Sequence, residues 1–206
     1  MAEKDVYLAS KSPRRKALLE QLGYRVTVIA GNAHTAGYFP GDEERLAGES
    51  PEAYVRRTAR TKFAEGLARR EALGLPAGAV LAADTVVSLG DEVLGKPADA
   101  EEAKAFLRRL SGRAHLVQTT VVAGTSLEDA EERTSTSSVV FRALSEGEID
   151  AYVATGEPFD KAGGYGIQGL AGVFVERIDG SFTGIMGLPV REAADVLARA
   201  GRPVFP

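Results

Sequence analysis

Cysteine is absent from the 206 residues of this chain. That excludes disulfides and thiolate metal sites, and it fits a reducing cytosol. Long apolar runs are absent as well: none approaches the length of a membrane span, and the N-terminus lacks the pattern of a signal peptide. A soluble, cytoplasmic protein with no membrane partner is therefore expected. An excess of positive charge is also missing. The formal net charge is −4, which gives no reason to expect a nucleic-acid partner. Basic residues that bind an anion must then be concentrated locally. Internal repeats and linkers rich in Pro or Ser are lacking, so a single domain over residues 1–206 is expected. With 44% hydrophobic residues, a chain of this length buries a sizeable core, as one domain or as two closely packed lobes.

What is present begins with a polar elbow, Ala9-Ser10-Lys11-Ser12-Pro13-Arg14-Arg15. The apolar run Val6 to Ala9 reads as a buried strand, and Ala17, Leu18, Leu19 and Leu22 recur at helical spacing until Gly23. Ser12 suits the N-cap and Pro13 the first helical position. Free N–H groups and the positive end of the helix dipole attract anions there. Arg14 and Arg15 oppose that dipole, so local helix stability does not account for them. An anion meeting both guanidinium groups would account for them; a solvated basic turn is the plainer alternative.

Arg25 to Ile29 alternates as a strand and leads into an aperiodic stretch from Gly31 to about Gly48, long for a connection in a compact domain. His34, one of two histidines, sits alone in that stretch, where a surface role outweighs a ligand role. Ser50-Pro51 starts a helix to about Leu73, on which Lys62 sits beside the apolar set. Such a lysine either snorkels to solvent or reaches into a cleft.

The most apolar stretch, Ala79 to Val87, is broken by one carboxylate, Asp84, and reads as a central strand. Asp is ill suited to a strand and almost never fully buried unpaired. A strand end, a buried hydrogen bond or a catalytic site would each explain it. Gly90-Asp91 turns the chain into Glu92-Val93-Leu94, a hairpin that brings Lys96 back toward Asp84. Asp99 and Ser145 open further helices. His115–Gly124 and Thr134–Phe141 read as a long hairpin. Asp160 to Gly169 is a glycine-dense loop suited to close approach of a ligand. Gly172–Ile178 is expected as a strand, Asp179-Gly180 as a hairpin-type turn, and the last helix opens at Gly187-Leu188-Pro189 and ends at Gly201.

The Ser-Pro-Arg-Arg elbow, the Ala-Ala-Asp-Thr-Val-Val strand with its hairpin lysine, the Asp-Lys-Ala-Gly-Gly-Tyr-Gly-Ile-Gln-Gly loop and Ile185-Met186-Gly187-Leu188-Pro189 occur in that order. Together they resemble the Maf family of nucleoside triphosphate pyrophosphatases, over nearly the whole chain. The resemblance implies a mixed α/β fold like that of the inosine triphosphatases: an elongated sheet with flanking helices, forming two lobes around a central cleft. It also implies hydrolysis of a nucleoside triphosphate to monophosphate and pyrophosphate, a divalent metal (Mg, Mn or Co), a cytoplasmic location and a homodimer. Asp84 matches the family's catalytic aspartate, as proton acceptor or metal holder. Arg14, Arg15, Lys62 and Lys96 would supply cations for the phosphates, and Ser10 a hydroxyl donor. Ile167-Gln168-Gly169 is similar to the dTTP/UTP branch, where Gln168 suits a pyrimidine edge; Arg14 and Thr85 match specificity positions of that branch. The plainer role for Gln168 is to bond loop backbone.

The family usually places an acidic residue soon after the second strand. Here Gly31-Asn32-Ala33-His34 carries none, and the next carboxylates are Asp42, Glu43 and Glu44. Two readings follow: an active dTTP/UTP pyrophosphatase, or a nucleotide-binding protein of the same fold with weakened hydrolysis, acting as a sensor or interaction module.

Overall fold

A computed structural model describes residues 4–30 and 45–205. Its strands are β1 (Asp5–Leu8), β2 (Arg25–Val28), β3 (Val80–Leu89), β4 (Glu92–Leu94), β5 (Ala114–Gly124), β6 (Glu131–Phe141) and β7 (Val175–Asp179). They form one mixed sheet in the order β2-β1-β3-β5-β6-β7, with β4 also paired to β3. β1 runs parallel to β2 and β3, and every pair from β3 onward is antiparallel. The helices are α1 (Pro13–Gln21), α2 (Pro51–Ala72), α3 (Ala100–Leu110), α4 (Glu146–Ala154), the single turn α5 (Phe182–Ile185) and α6 (Val190–Arg199). α1 carries the chain from β1 across to its parallel neighbour β2, as a parallel pair requires.

The helix starts expected from the sequence form as local chemistry dictates. The hydroxyls of Ser12, Ser50 and Ser145 and the carboxylate of Asp99 each accept a backbone N–H three residues on. Glu148 returns the bond to Ser145 N–H, completing the capping box.

Alternation along the strands divides the sheet into two faces. Val80, Ala82 and Val122 face α2, where they pack against Ala59 and Phe63. On the other face, Leu81, Ala83, Val121 and Ala123 pack against Leu18 and Leu19 of α1 and Val196 and Leu197 of α6. Further along that face, Val87, Val117, Val139 and Phe141 join Phe106 and Leu107 of α3 and Ile149, Tyr152 and Val153 of α4. Aromatic rings concentrate at this end: Phe141 stands edge-on to His115, Tyr165 and Phe174.

Two expectations at the C-terminal end are corrected. The strand expected over Gly172–Ile178 begins only at Val175, because Leu170–Phe174 forms a 3-10 turn. There Gly172 N–H bonds the Gly169 carbonyl, and a Cβ on Gly172 would lie 3.0 Å from the Ile167 carbonyl oxygen. Asp179-Gly180 is not a hairpin turn either. β7 pairs with β6, and the chain then enters α5, capped by Ser181. Ser181 N–H bonds Ser137 Oγ at 2.9 Å, which pins the turn to β6. β6 also starts three residues before the expected Thr134, at Glu131.

Candidate active site

The site follows from a gap in the sheet. β5 pairs along one edge of β3 from Val80 to Ser88. The other edge is shared by two short partners. β1 ends at Leu8, opposite Leu81, with one further bond from Ala9 N–H to the Leu81 carbonyl at 2.9 Å. β4 takes up the edge again only at Val87. Between them, from Ala82 to Val86, β3 has no strand partner on that side among the described residues. Asp84 and Thr85 lie in the middle of this open stretch.

A cleft of about 790 Å³ opens there, within the range of small-molecule sites. Its walls are the elbow and α1, one side of α2, the segment after β4, and the glycine-dense loop. Lys11, Arg14, Arg15, Lys62, Arg69, Lys96 and Lys161 line it, against Glu65, Asp84 and Asp160. Among the described residues the local balance is thus +4, in a chain whose net charge is −4. The basic residues are concentrated, as anion binding requires.

Asp84 projects toward α2, where Lys62 Nζ donates to its Oδ1 at 2.8 Å. Of the three explanations open to a carboxylate in this strand, a buried hydrogen bond is therefore present, and of the two open to Lys62, it reaches into the cleft. Asp84 is 9% exposed, and among the described residues its Oδ2 makes no hydrogen bond. One oxygen is anchored and the other faces the cleft.

Thr85 projects to the opposite face and its hydroxyl is fully engaged. Arg15 Nη2 donates to it at 3.2 Å, and it pairs with Thr119 Oγ1 at 2.9 Å. Thr119 in turn donates to the Gly184 carbonyl at 2.8 Å. Arg15 also holds Ser10 Oγ through Nη1 (3.0 Å) and the Gly187 carbonyl through Nε (2.8 Å). It ties the elbow, the central strand and the turn before α6 into one unit. Ser10 Oγ additionally accepts Ser12 N–H at 3.2 Å, so its hydroxyl proton remains available to a ligand.

Arg14 is held more loosely, 3.4 Å from Asp160 across the cleft. Lys96 lies beyond the β3–β4 pairing, on the cleft wall, exposed and without an ion pair among the described residues. Gln168 is exposed on the cleft, and its amide makes no hydrogen bond among the described residues. The backbone-bonding role considered for it is thereby ruled out within these residues. Gly166 lies beneath it: a Cβ there would stand 2.7 Å from Lys161 Cε and 3.3 Å from Gln168 Nε2. Glycine at this point lets both side chains fold over the backbone.

Ser10, Arg14, Arg15, Lys62, Asp84, Thr85, Lys96 and Gln168 all line this one cleft. Sequence reasoning assigned no role to Lys161, Asp160, Glu65 or Arg69. Lys161 donates to the Glu157 carbonyl at 2.7 Å and pairs with Asp160. Arg69 has a buried Nε with no partner among the described residues. Asp160 and Lys161 open the glycine-dense loop that the sequence did single out, whereas nothing in the spacing along α2 marked Glu65 or Arg69. Asn32, His34, Asp42, Glu43 and Glu44 lie outside the described residues. No group of three or more His, Asp or Glu able to hold a metal is found among the described residues, and no described helix is long and apolar enough to cross a membrane.

A basic cleft around one half-anchored carboxylate, set in a gap of a mixed α/β sheet, has the character of a site for a phosphate-bearing ligand. Comparison with known proteins makes this particular: residues 5–200 match the model of the family described as Maf-like protein, and the chain belongs to the Maf family. A relative from Chromobacterium violaceum, named dTTP/UTP pyrophosphatase, is 48% identical over 95% of this chain and 94% of its own. A Myxococcus xanthus protein of the same name is 50% identical, covering 96% and 93%. Among solved structures, the Staphylococcus aureus Ham1 protein is 15% identical with a TM-score of 0.42, covering 67% of this chain and 72% of that one.

Proposed function

We propose that this protein hydrolyses dTTP and UTP to the monophosphate and pyrophosphate. The observation that carries the reading is Asp84: among the described residues, one oxygen is fixed by Lys62 and the other is open, in a cleft whose charged lining sums to +4. The names of its Maf relatives support the same substrates.

In this reading water attacks the α-phosphorus and Asp84 Oδ2 takes its proton. Lys62 keeps the carboxylate oriented. Arg14, Lys96 and the Ser10 hydroxyl bind phosphate oxygens, and their positive charge meets the charge that develops on the leaving pyrophosphate. Gln168 offers a donor and an acceptor to the carbonyl and N–H of the pyrimidine edge. Arg15 and Thr85 hold the frame on which these groups sit.

The donor set fits a divalent metal shared with the substrate. Mg²⁺ is commonly bound by one or two carboxylates together with substrate phosphates, without a cage of protein ligands. Were Asp84 Oδ2 to hold Mg, Mn or Co alongside the triphosphate, that would be its role in place of taking the proton. When bound, the metal offsets phosphate charge and polarises the phosphoryl group. The proposal includes a cytoplasmic location and a homodimer, which light scattering in solution tests.

Pyrophosphate release from a panel of nucleoside triphosphates, with Mg²⁺, Mn²⁺ and Co²⁺, tests the activity. Preference for dTTP and UTP is expected. A second reading, nucleotide binding with weak hydrolysis, draws on the lack of a carboxylate in Gly31-Asn32-Ala33-His34, where the family usually has one. Tight nucleotide binding without pyrophosphate release under any of the three metals would decide for it.

A further inference from the structure

Gln168 can select a base only if the short segment that carries it holds still. Residues 166–169 belong to neither strand nor helix, so the ladder bonds of regular structure do not fix them. Gly169 N–H closes a turn on the Gly166 carbonyl at 2.9 Å, and the ends of the segment are tied to two side chains that bond each other. Tyr152, buried in α4, donates its hydroxyl to Glu157 Oε1 at 2.9 Å and accepts Gly166 N–H at 3.3 Å. The other oxygen, Glu157 Oε2, accepts Leu170 N–H at 3.1 Å. Between the two ties lie Ile167, which is buried, and Gln168, which faces the cleft. A Cβ on Gly169 would stand 2.5 Å and 2.6 Å from the two carboxylate oxygens, so glycine there lets Glu157 lie flat against the segment. The backbone carbonyl of Glu157 accepts Lys161 Nζ at 2.7 Å, which sets a second cleft side chain from the same residue.

We propose that Glu157 and Tyr152 are positioning residues for base selection: they clamp residues 166–170 at both ends and so aim the Gln168 amide at the pyrimidine edge. This rests on the proposed activity and deepens it. Neither residue touches the phosphates or Asp84; each acts through Gln168. Burial, followed by the bond to Glu157, pushes the Tyr152 phenol well above its ordinary value. Its hydroxyl therefore keeps its proton to donate throughout the neutral range.

The experiment compares UTP with CTP, whose rings differ at the edge that Gln168 would read. Values of kcat and KM are measured for the wild type, Glu157→Gln, Tyr152→Phe, Gln168→Ala and the double variant Glu157→Gln with Gln168→Ala. Each single variant is expected to lower the UTP-over-CTP preference in kcat/KM by about tenfold, equivalent to about 1.4 kcal/mol. The loss should appear in the KM for UTP more than in kcat. The double variant should lose no more than Gln168→Ala alone, because coupled residues are not additive. An unchanged preference in Glu157→Gln and Tyr152→Phe, or full additivity in the double variant, overturns the proposal. Tyr152→Phe keeps the buried ring, so it tests the clamp even if Glu157→Gln does not fold. Hydrogen exchange gives a readout independent of catalysis: Glu157→Gln should speed exchange at the Leu170 amide, and an unchanged rate there removes the clamp. A wild type that releases no pyrophosphate from any nucleotide overturns the proposed function instead, and the exchange result still judges the clamp.

Discussion

Asp84 and Thr85 are consecutive residues on one strand and line one cleft, yet their surroundings are opposite. Asp84 faces α2 and keeps an open oxygen. Thr85 faces α1 and α5, where Arg15 and Thr119 occupy its hydroxyl. The same contrast extends across the sheet. In register with Thr85 run Thr119 and Ser135, a buried polar row covered by α5. A Cβ on Gly184 would lie 3.1 Å from Ser135 Oγ, which shows how closely α5 sits. Buried polar groups satisfied in this way specify one arrangement and hold it. One face of β3 is therefore a frame and the other, in the proposed function, the reaction surface, and chemistry is expected only where a polar atom has been left open.

The strongest way to break this comparison is Asp84→Asn. Turnover should fall by about 10²–10⁴-fold, the usual cost of losing a positioned proton acceptor, while the melting temperature changes little. A variant with near-normal pyrophosphate release would remove Asp84 from the mechanism and erase the distinction between the faces.

His115, on the framed face, tests the seal through pH. Its Nε2 meets the Tyr165 hydroxyl at 2.7 Å, while its buried Nδ1 has no partner among the described residues. Burial pushes its pKa from 6.5 down to about 4; the Arg113 backbone opposes the shift without closing a hydrogen bond. The unfolded chain thus binds a proton before the folded one as pH falls. The stability tied to neutral His115 is fully present above pH 6.5 and is lost between pH 6.5 and 4. The stability difference between the wild type and His115→Gln, from denaturant unfolding, should shift against the wild type by about 3 kcal/mol from pH 7 to pH 4. A difference that does not move with pH would show that His115 is not sealed.

Thr85→Val sharpens the comparison at its centre. The swap keeps the shape but leaves Arg15 Nη2 and Thr119 without their shared partner. A stability loss of about 1–3 kcal/mol is expected, with a smaller loss of turnover than Asp84→Asn. If turnover falls as far as in Asp84→Asn while stability holds, Thr85 belongs to the reaction surface.

Arg14→Ala should give the smallest effect on stability, below about 1 kcal/mol, because its pairing with Asp160 is long and solvent-exposed. The KM for a nucleoside triphosphate should nevertheless rise, and the rise should shrink at high salt as long-range attraction is screened. An unchanged KM would return Arg14 to the solvated basic turn that its sequence also allowed.

Much of the scaffold was legible because it depends on neighbours in the chain. Ser12, Ser50, Asp99 and Ser145 bond backbone three residues away, and the Gly90-Asp91 turn returns the chain within a few positions. The single carboxylate in the apolar run of β3 stood out for the same local reason. Gly172–Phe174 reads as strand along the chain because its apolar residues run on into Val175–Ile178, whereas the bond from Gly172 N–H to the Gly169 carbonyl holds it in a 3-10 turn.

By itself the sequence determined where helices start and which strand is central, since each follows from residue type and spacing; the motifs proposed for phosphate and base chemistry stood out by their resemblance to the Maf family. Tertiary structure alone decided the division of labour. It joined Lys62 to Asp84, 22 positions apart, and Arg15 to Gly187, 172 positions apart. It also brought Lys161 and Arg69 to the cleft wall. Whether a polar atom is spent on the frame or left for a ligand depends on what the fold packs against it, and no pattern along the chain encodes that.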